Sequence, residues 1–274
     1  MRALEFITAP LATVDTEHRA YLAERPVGQL DWRALVILLS VPCLLTLREY
    51  CFSGSQCWQL IALLEPLAAG QPWLESALEI ISRSEQRRLT ELAYWSLGQV
   101  LCFLLLPALI VRGVLRESLN DYGLKLRGLL YCWWAYLGMF LVMLPFLLFM
   151  ATTKEFQATY PFYQPHPSEP LWPRFFIWQM FYATQFVALE FFFRGYMIHG
   201  LKRQLGVYCI LAMTIPYCMI HYGKPLPETL GSIGAGVILG FMSLKTRSIW
   251  LGAALHIAVA ITMDVAALGN ARSH

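Results

Sequence analysis

The chain has 274 residues, of which 57% are hydrophobic and only 14% charged, and its formal net charge is +3. This composition excludes an ordinary soluble globular protein, in which about a quarter of the residues are charged. The small, dispersed positive charge argues against nucleic acid as a partner and favours contact with lipid headgroups. The sequence therefore predicts a multi-pass membrane protein that contacts the lipid bilayer and binds no nucleic acid.

Several apolar runs approach or reach the length of about 17–25 residues that crosses a bilayer as a helix. We expect an all-α transmembrane bundle with seven spans; eight is the alternative if Cys57–Ala69 also crosses. No cleavable signal peptide is evident before the first span, which is expected to act as an uncleaved anchor. The predicted spans, in chain order, are Leu35–Tyr50, Leu92–Val111, Leu129–Ala151, Phe175–His199, Val207–His221, Ile233–Leu244 and Ile249–Leu268.

The orientation of the bundle follows from the Lys and Arg residues of the short loops, which collect on the cytoplasmic side. Three turns fall on one face if the spans alternate, and we assign that face to the cytoplasm of a bacterial inner membrane or an equivalent membrane. The cluster of Arg83, Arg87 and Arg88 lies on the opposite face and is a contrary sign. The three cytoplasmic turns contain Arg112–Arg127, Lys202 with Arg203, and Lys245 with Arg247.

No internal repeat, low-complexity tract or long polar linker divides the chain, so we predict a single membrane domain over residues 1–274. Residues 1–152 have spans with essentially no ionisable group at depth and are interpreted mainly as scaffold. The prolines and aromatic residues of Thr152–Pro173 predict an ordered loop on the membrane surface, either a lid or a plain connector. Cys51 and Cys57 flank a turn on the predicted outer face, where a disulfide could form if that compartment is oxidising.

The fourth predicted span contains two full charges, Glu190 and Arg194, in an otherwise apolar and aromatic stretch. Four residues are about one helical turn, so the carboxylate and the guanidinium share a helix face and can pair. Charges inside a bilayer are costly and often functional, although a structural ion pair between helices is the alternative. The pair therefore marks where function is expected.

Further ionisable groups fall in or beside the later spans, namely His221, Glu228, His256 and Asp264. Counted at about 1.5 Å per residue from the predicted cytoplasmic turns, Glu190 and both histidines reach similar depths. One carboxylate and two imidazoles suit hydrolysis, because one group can take a proton from water and another can stabilise an oxyanion. A zinc site is the alternative, but the chain has no HExxH and needs ligands from three helices. We therefore expect no metal and no cofactor.

At these residues the chain resembles the CAAX-protease and bacteriocin-processing family of intramembrane glutamic endopeptidases. The family's Glu-Glu-x-x-x-Arg motif reads Leu189-Glu190-Phe191-Phe192-Phe193-Arg194 in this chain. Its aromatic-x-x-x-His motif is matched by Tyr217 and His221, and its later histidine by His256. The resemblance covers roughly residues 173–268, which we interpret as the catalytic core.

Two positions depart from the family's pattern. The first glutamate, to which the family's water-activating role is usually given, is Leu189, and the Asn or Asp commonly found four residues after the last histidine is Ala260. Either Glu190 has taken over the activation of water or peptidase activity has been lost. Asp264 could replace the missing partner only when protonated, because a carboxylate repels an oxyanion.

The resemblance implies an endopeptidase that cleaves a peptide or protein substrate near a membrane anchor, and a prenylated substrate is one family possibility. It leaves the substrate's identity and the oligomeric state open. Glu228 is expected to start the following helix. Alternatively, it could orient His221 or act as the base in place of Glu190. We expect Glu190 to act as the base, His221 as its partner, His256 as the oxyanion donor and Arg194 as the residue that orients Glu190. Glu228, Asp264 and Tyr217 are candidates for supporting roles.

Two other classes of function compete with the peptidase. An inactive relative that acts as a scaffold or binds a partner is favoured by Leu189 and Ala260. A transporter ranks below both, because transporters often place polar groups near the midplane in both halves of the chain and the first half offers none.

Overall fold

The computed structural model describes residues 2–26, 28–126, 130–164 and 171–272. All regular secondary structure in these residues is helical, which confirms the predicted all-α class. We number the helices in chain order. They are α1 (Arg2–Ala23), α2 (Trp32–Cys51), α3 (Gly54–Ala68), α4 (Pro72–Ser82), α5 (Arg87–Val114), α6 (Trp133–Met150), α7 (Lys154–Thr159), α8 (residues 174–205), α9 (Cys209–Met219), α10 (Leu226–Thr246) and α11 (Trp250–Arg272).

Two helices contain stretches of π-helix, in which the turns are wider than in an α-helix. Helix α5 has two such stretches, Leu101–Leu105 and Ile110–Val114. Helix α8 is an α-helix over Arg174–Glu190, a π-helix over Phe191–His199 and an α-helix again over Gly200–Leu205. Wide turns of this kind occur often at functional sites, and the stretch in α8 begins directly after Glu190.

Five helices among the described residues are long and apolar enough to cross a membrane: α2, α5, α6, α10 and α11. They contain the first, second and sixth predicted spans and most of the third and seventh; Leu129 of the third lies outside the described residues. The other two predicted spans are helical but fall outside this group, so length and composition do not reproduce the expected count of seven. Helix α8 carries several charges. Helix α9 has only 11 residues, which cover about 16 Å of a hydrocarbon core of roughly 30 Å. The candidate eighth span, Cys57–Ala69, lies largely in α3, which is also outside the five.

Glycines bring α10 close to its neighbours. A Cβ atom at Gly236 would lie 2.9 Å from Thr214 of α9, and one at Gly240 would lie 3.0 Å from both Ile198 and Ile210. The spacing Gly236-x-x-x-Gly240 thus acts in helix packing, as such small-residue pairs do in membrane helices.

The basic turns predicted to share one face meet at one end of the bundle. Glu17 of α1 pairs with Lys202 at 3.3 Å and with Arg247 at 2.8 Å. The backbone N–H of Ile249 donates to the carbonyl oxygen of Gly123 at 3.1 Å, which brings the loop after α5 to the same turn. Helix α1, for which the sequence pattern gave no prediction, therefore ties these turns together.

The stretch Thr152–Pro173 is described only in part, because Pro165, Pro167 and Pro170 lie outside the described residues. Its described residues form α7 and then bury Tyr160 and Tyr163 against α8 and α11. All seven cysteines carry free thiols, so Cys51 and Cys57 are not bonded to each other in this structure.

Candidate active site

Glu190 and Arg194 form the buried ion pair that their spacing predicts. Nη1 of Arg194 lies 3.2 Å from Oε1 of Glu190, and the two side chains are 0% and 1% exposed, respectively. The guanidinium also lies 4.0 Å from the centre of the Tyr217 ring, a cation–π distance. None of its three nitrogens makes a well-aligned hydrogen bond within the described part of the chain, so charge and ring contact hold it in place.

His256 joins this pair through both of its ring nitrogens. Nδ1 lies 2.7 Å from Oε1 of Glu190, and Nε2 lies 2.9 Å from the hydroxyl of Tyr217. Because a carboxylate only accepts hydrogen bonds, Nδ1 must carry a proton, and a neutral His256 then accepts at Nε2 from the Tyr217 hydroxyl. A relay of tyrosine, histidine and carboxylate results, and neither ring nitrogen of His256 is free for another molecule.

The carboxylate of Glu190 fits because of a glycine on α11. A Cβ atom at Gly252 would lie 2.5 Å from Oε2 of Glu190. Gly252 stands one turn before His256, so the same helix face provides the space for the carboxylate and the imidazole that binds it. Sequence reasoning did not identify Gly252, although its four-residue spacing from His256 could have suggested it.

His221 lies next to this relay without touching Glu190. It follows α9, and its Nδ1 lies 2.8 Å from the backbone carbonyl oxygen of Tyr217. The carbonyl fixes the proton on Nδ1, which leaves Nε2 with no hydrogen-bond partner among the described residues. Tyr217 thus links the two histidines, with its hydroxyl on His256 and its carbonyl on His221.

A cavity of about 370 Å³ lies beside His221. Its wall on the side of α8 and the turn after α9 includes Gln185, Phe186, Leu189, His221 and Lys224. The opposite wall comes from α2 and α5, through Arg48, Arg88, Glu91, Trp95 and Gln99 among others. The amino-terminal half therefore supplies part of the cavity wall in addition to its predicted scaffold role.

The two positions of the family's glutamate pair face different surroundings. Leu189, which replaces the first glutamate, lines the cavity together with His221. Glu190 does not line it, and its carboxylate is enclosed by Arg194, His256 and Gly252. The structure thus brings Glu190 and His256 into contact, whereas His221 reaches them only through Tyr217.

Glu228 lies in the first turn of α10, as its predicted helix-start role requires. Its carboxylate is paired with Lys224 at 2.7 Å and accepts from the hydroxyl of Tyr160 at 2.9 Å, and it makes no hydrogen bond to His221. Burial, together with the nearby carboxylate of Glu228, raises the pKa of Tyr160 well above its ordinary value, so its hydroxyl remains a donor at neutral pH.

Asp264 belongs to a separate network. Its Oδ2 accepts from Nε1 of Trp178 at 3.0 Å and from the side-chain amide of Gln179 at 2.8 Å. Its Oδ1 accepts from the backbone N–H of Phe162 at 3.3 Å. The carboxylate is completely buried and joins α11 to α8 and to the segment after α7. Asp264 therefore holds the cavity wall at Phe162 in place and takes no part in the relay.

The donor set predicted as the zinc alternative is not assembled. Within the described ranges, no three His, Cys, Asp or Glu side chains are placed so that they could hold one metal ion.

Part of the chain matches a known protein family. Residues 170–262, which include α8, α9, α10 and the first part of α11, match the family described as Type II CAAX prenyl endopeptidase Rce1-like. This segment resembles the CAAX endopeptidases. The match confirms the resemblance identified from the motifs, and we refer to residues 170–262 as the CAAX-endopeptidase-like segment. No curated protein and no solved structure gives a significant match to the chain.

The family match and the five apolar helices together indicate an integral membrane protein related to membrane proteases. The CAAX-endopeptidase-like segment contains every group of the relay and the cavity residues Gln185, Leu189 and His221. The match ends at residue 262, two residues before Asp264.

Proposed function

We propose that the protein is a membrane-embedded endopeptidase that hydrolyses a peptide bond near a membrane anchor of its substrate. One observation carries the proposal: His221 lines a cavity of about 370 Å³ with Nδ1 fixed by Tyr217 and Nε2 available. An imidazole held in this way can take a proton from water beside a bound peptide. The family match supports a proteolytic reaction, and the spanning helices support a substrate at the membrane.

In this proposal the relay acts behind the cavity. The carboxylate of Glu190, kept ionised by Arg194, binds Nδ1–H of His256, and His256 in turn holds the hydroxyl of Tyr217. Tyr217 then presents its carbonyl to His221. Glu190, the residue that the sequence nominates as base, would act on water directly only after moving out of its pocket between Arg194, His256 and Gly252. The structure therefore favours His221 as the group that meets the water.

The proposal is tested by comparing the membrane peptides of three strains, which carry the native protein, a His221→Gln variant or no protein. We expect a set of peptides that depends on the native protein and forms at least about a hundredfold more slowly with His221→Gln, because acid–base groups contribute at this scale. His18→Gln, on α1 and outside the residues that line the cavity, is the matched control. Peptides that form equally fast with His221→Gln would contradict the role of His221.

The location and partners belong to the same proposal. We place the protein in a bacterial inner membrane or an equivalent membrane, with the basic turns on the cytoplasmic side, and we expect a peptide or protein substrate there. The cavity wall of Leu92, Trp95, Phe103, Phe186 and Leu189 is apolar, which suits an apolar peptide segment.

A second candidate is a non-catalytic relative that binds a partner, and the position of Leu189 favours it. The cavity lacks the acid that the family places there, and Glu190 is buried in an ion pair. This candidate predicts identical membrane peptides with and without the protein. It also predicts that Glu190→Gln lowers the free energy of unfolding by about 3–5 kcal/mol, because Arg194 would lose its counter-ion. The peptide comparison separates the two candidates.

A further inference from the structure

The side chain of Gln185 is buried at the cavity without any protein partner. The residue is 3% exposed and lines the cavity wall. Its amide makes no hydrogen bond to any described residue. The amide atoms are not among the fully enclosed polar atoms that lack a partner, so they reach the open space of the cavity. The amide of Gln185 is therefore placed to bind a molecule in the cavity.

Gln185 shares a helix face with Leu189, because four residues are about one turn of α8. Both residues line the same cavity as His221. An amide donor and an imidazole acceptor thus face one space next to the position where the family's first glutamate is replaced by leucine.

Most of the other polar groups near this space are already engaged; the hydroxyl of Tyr182, which also lines the cavity, makes no hydrogen bond to a described residue. His256 uses Nδ1 on Glu190 and Nε2 on Tyr217. Lys224 donates to Tyr160 and Glu228. Gln99 accepts from Nε and Nη2 of Arg48 at 2.8 and 2.9 Å in the amide orientation that satisfies both groups. Among the amide and imidazole groups described at this wall, Gln185 and His221 are those left for a substrate.

We infer that Gln185 is a catalytic residue of the proposed peptidase and that its amide N–H binds the carbonyl oxygen of the scissile peptide bond. The inference rests on the proposed function. Water attacks the carbonyl carbon, its proton passes to Nε2 of His221, and the carbonyl electron pair moves to the oxygen bound by Gln185. When the intermediate collapses, the C–N bond breaks and His221 returns the proton to the leaving nitrogen. The amide stabilises the charge that develops on the oxygen.

The test uses Gln185→Leu in the same comparison of membrane peptides, with the initial rate of product formation measured at matched protein levels. We expect a rate about 10²–10³-fold lower, the usual effect of losing one oxyanion donor. We also expect an unchanged Tm in detergent, because the amide makes no hydrogen bond to the described part of the protein that the variant could remove. Gln29→Leu, at an exposed position, is the matched control.

The outcomes separate the two claims. Products that form at the native rate with Gln185→Leu overturn the inference about Gln185 and leave the proposed peptidase standing. A slower rate accompanied by a lower Tm, repeated with the unbranched Gln185→Met, assigns Gln185 a structural role and also overturns it. The absence of any peptide that depends on the native protein overturns the proposed function, and the role of Gln185 with it.

Discussion

The carboxylate of Glu190 is enclosed by groups that each constrain it differently. Arg194 supplies the opposite charge, His256 supplies a hydrogen bond at 2.7 Å, and Gly252 leaves the space into which Oε2 fits. A charge this deeply buried is tolerated only when it is paired. Removing one partner destabilises the fold by more than the intact pair stabilises it. The enclosure gives the relay a single geometry, which in turn fixes Tyr217 and the position of His221.

At the residue scale, we expect Gly252→Ala to disrupt the relay. The added Cβ would lie 2.5 Å from Oε2 of Glu190, and the carboxylate is held by Arg194 and His256, so it has little freedom to move. Overpacking of this kind costs about 1–3 kcal/mol, which is measurable as a lower Tm in detergent. The matched control is Gly234→Ala on α10, where a Cβ would meet nothing within 4 Å. Equal Tm values for both variants would contradict the close contact.

The sequence predicted the pairing of Glu190 with Arg194, because a spacing of four residues has one geometric consequence on a helix. It did not predict that Glu190 faces away from the cavity, because almost every neighbour in α8 is apolar or aromatic and no polar stripe distinguishes one helix face from another. Gln185 was missed as well. It is a polar residue in an apolar run, but no polar stripe marks the helix face on which it lies.

At the scale of elements, Asp264 connects three segments at one carboxylate. It binds Trp178 and Gln179 of α8 and the backbone N–H of Phe162, whose carbonyl oxygen in turn accepts from Nη2 of Arg88 at 3.2 Å. The ring of Phe162 lines the cavity. The wall at Phe162 is thus fixed from α5, α8 and α11 together, and the segment after α7 depends on this carboxylate for its position.

We expect Asp264→Asn to loosen this wall. An amide nitrogen cannot accept a hydrogen bond, so at least one of the three donors to Asp264 is left unpaired, at a cost of about 1–3 kcal/mol. The variant should show a lower Tm and faster tryptic cleavage at Lys154. Asp121→Asn, at an exposed carboxylate, serves as control. Cleavage at the native rate with an unchanged Tm would show that the carboxylate does not hold the segment.

Spacing on one helix was a poor guide to the partners of Asp264. His256 and Asp264 are two turns apart on nearly the same face of α11, a spacing that is compatible with one shared cluster. Two turns correspond to about 12 Å along the axis, however, so the two side chains meet different neighbours. Which neighbour stands at each level depends on how α8 and the segment after α7 cross α11, and a single sequence does not specify those crossings.

At the scale of the whole molecule, the basic turns form one end of the bundle, and α1 lies across it. Glu17 binds Lys202 and Arg247, and Nζ of Lys245 donates to the carbonyl oxygen of Phe6 at 2.9 Å. This grouping agrees with the shared face that the Lys and Arg pattern predicts. The number of spans was harder to predict, because the charges of α8 and the short α9 depart from the uniform apolar segments that hydropathy identifies best.

The predicted orientation can be measured with alkaline phosphatase, which is active only outside the cytoplasm, inserted into the full chain at two sites. We expect an inactive enzyme after Asp121, in the basic loop that follows α5, and an active enzyme after Thr152, on the opposite face. Western blotting confirms equal amounts of both fusions. The reverse activity pattern would invert the orientation and place the basic end of the bundle outside.

The wide-turn stretch Phe191–His199 has a consequence for how relatives of this protein diverge. Deleting or inserting a single residue there would rotate one half of α8 against the other by about 100°. Glu190 would then turn away from His256 and Gly252, which stay fixed on α11, even with every motif letter intact. Among relatives, a one-residue change in the length of this stretch should therefore alter the chemistry more than several substitutions around it.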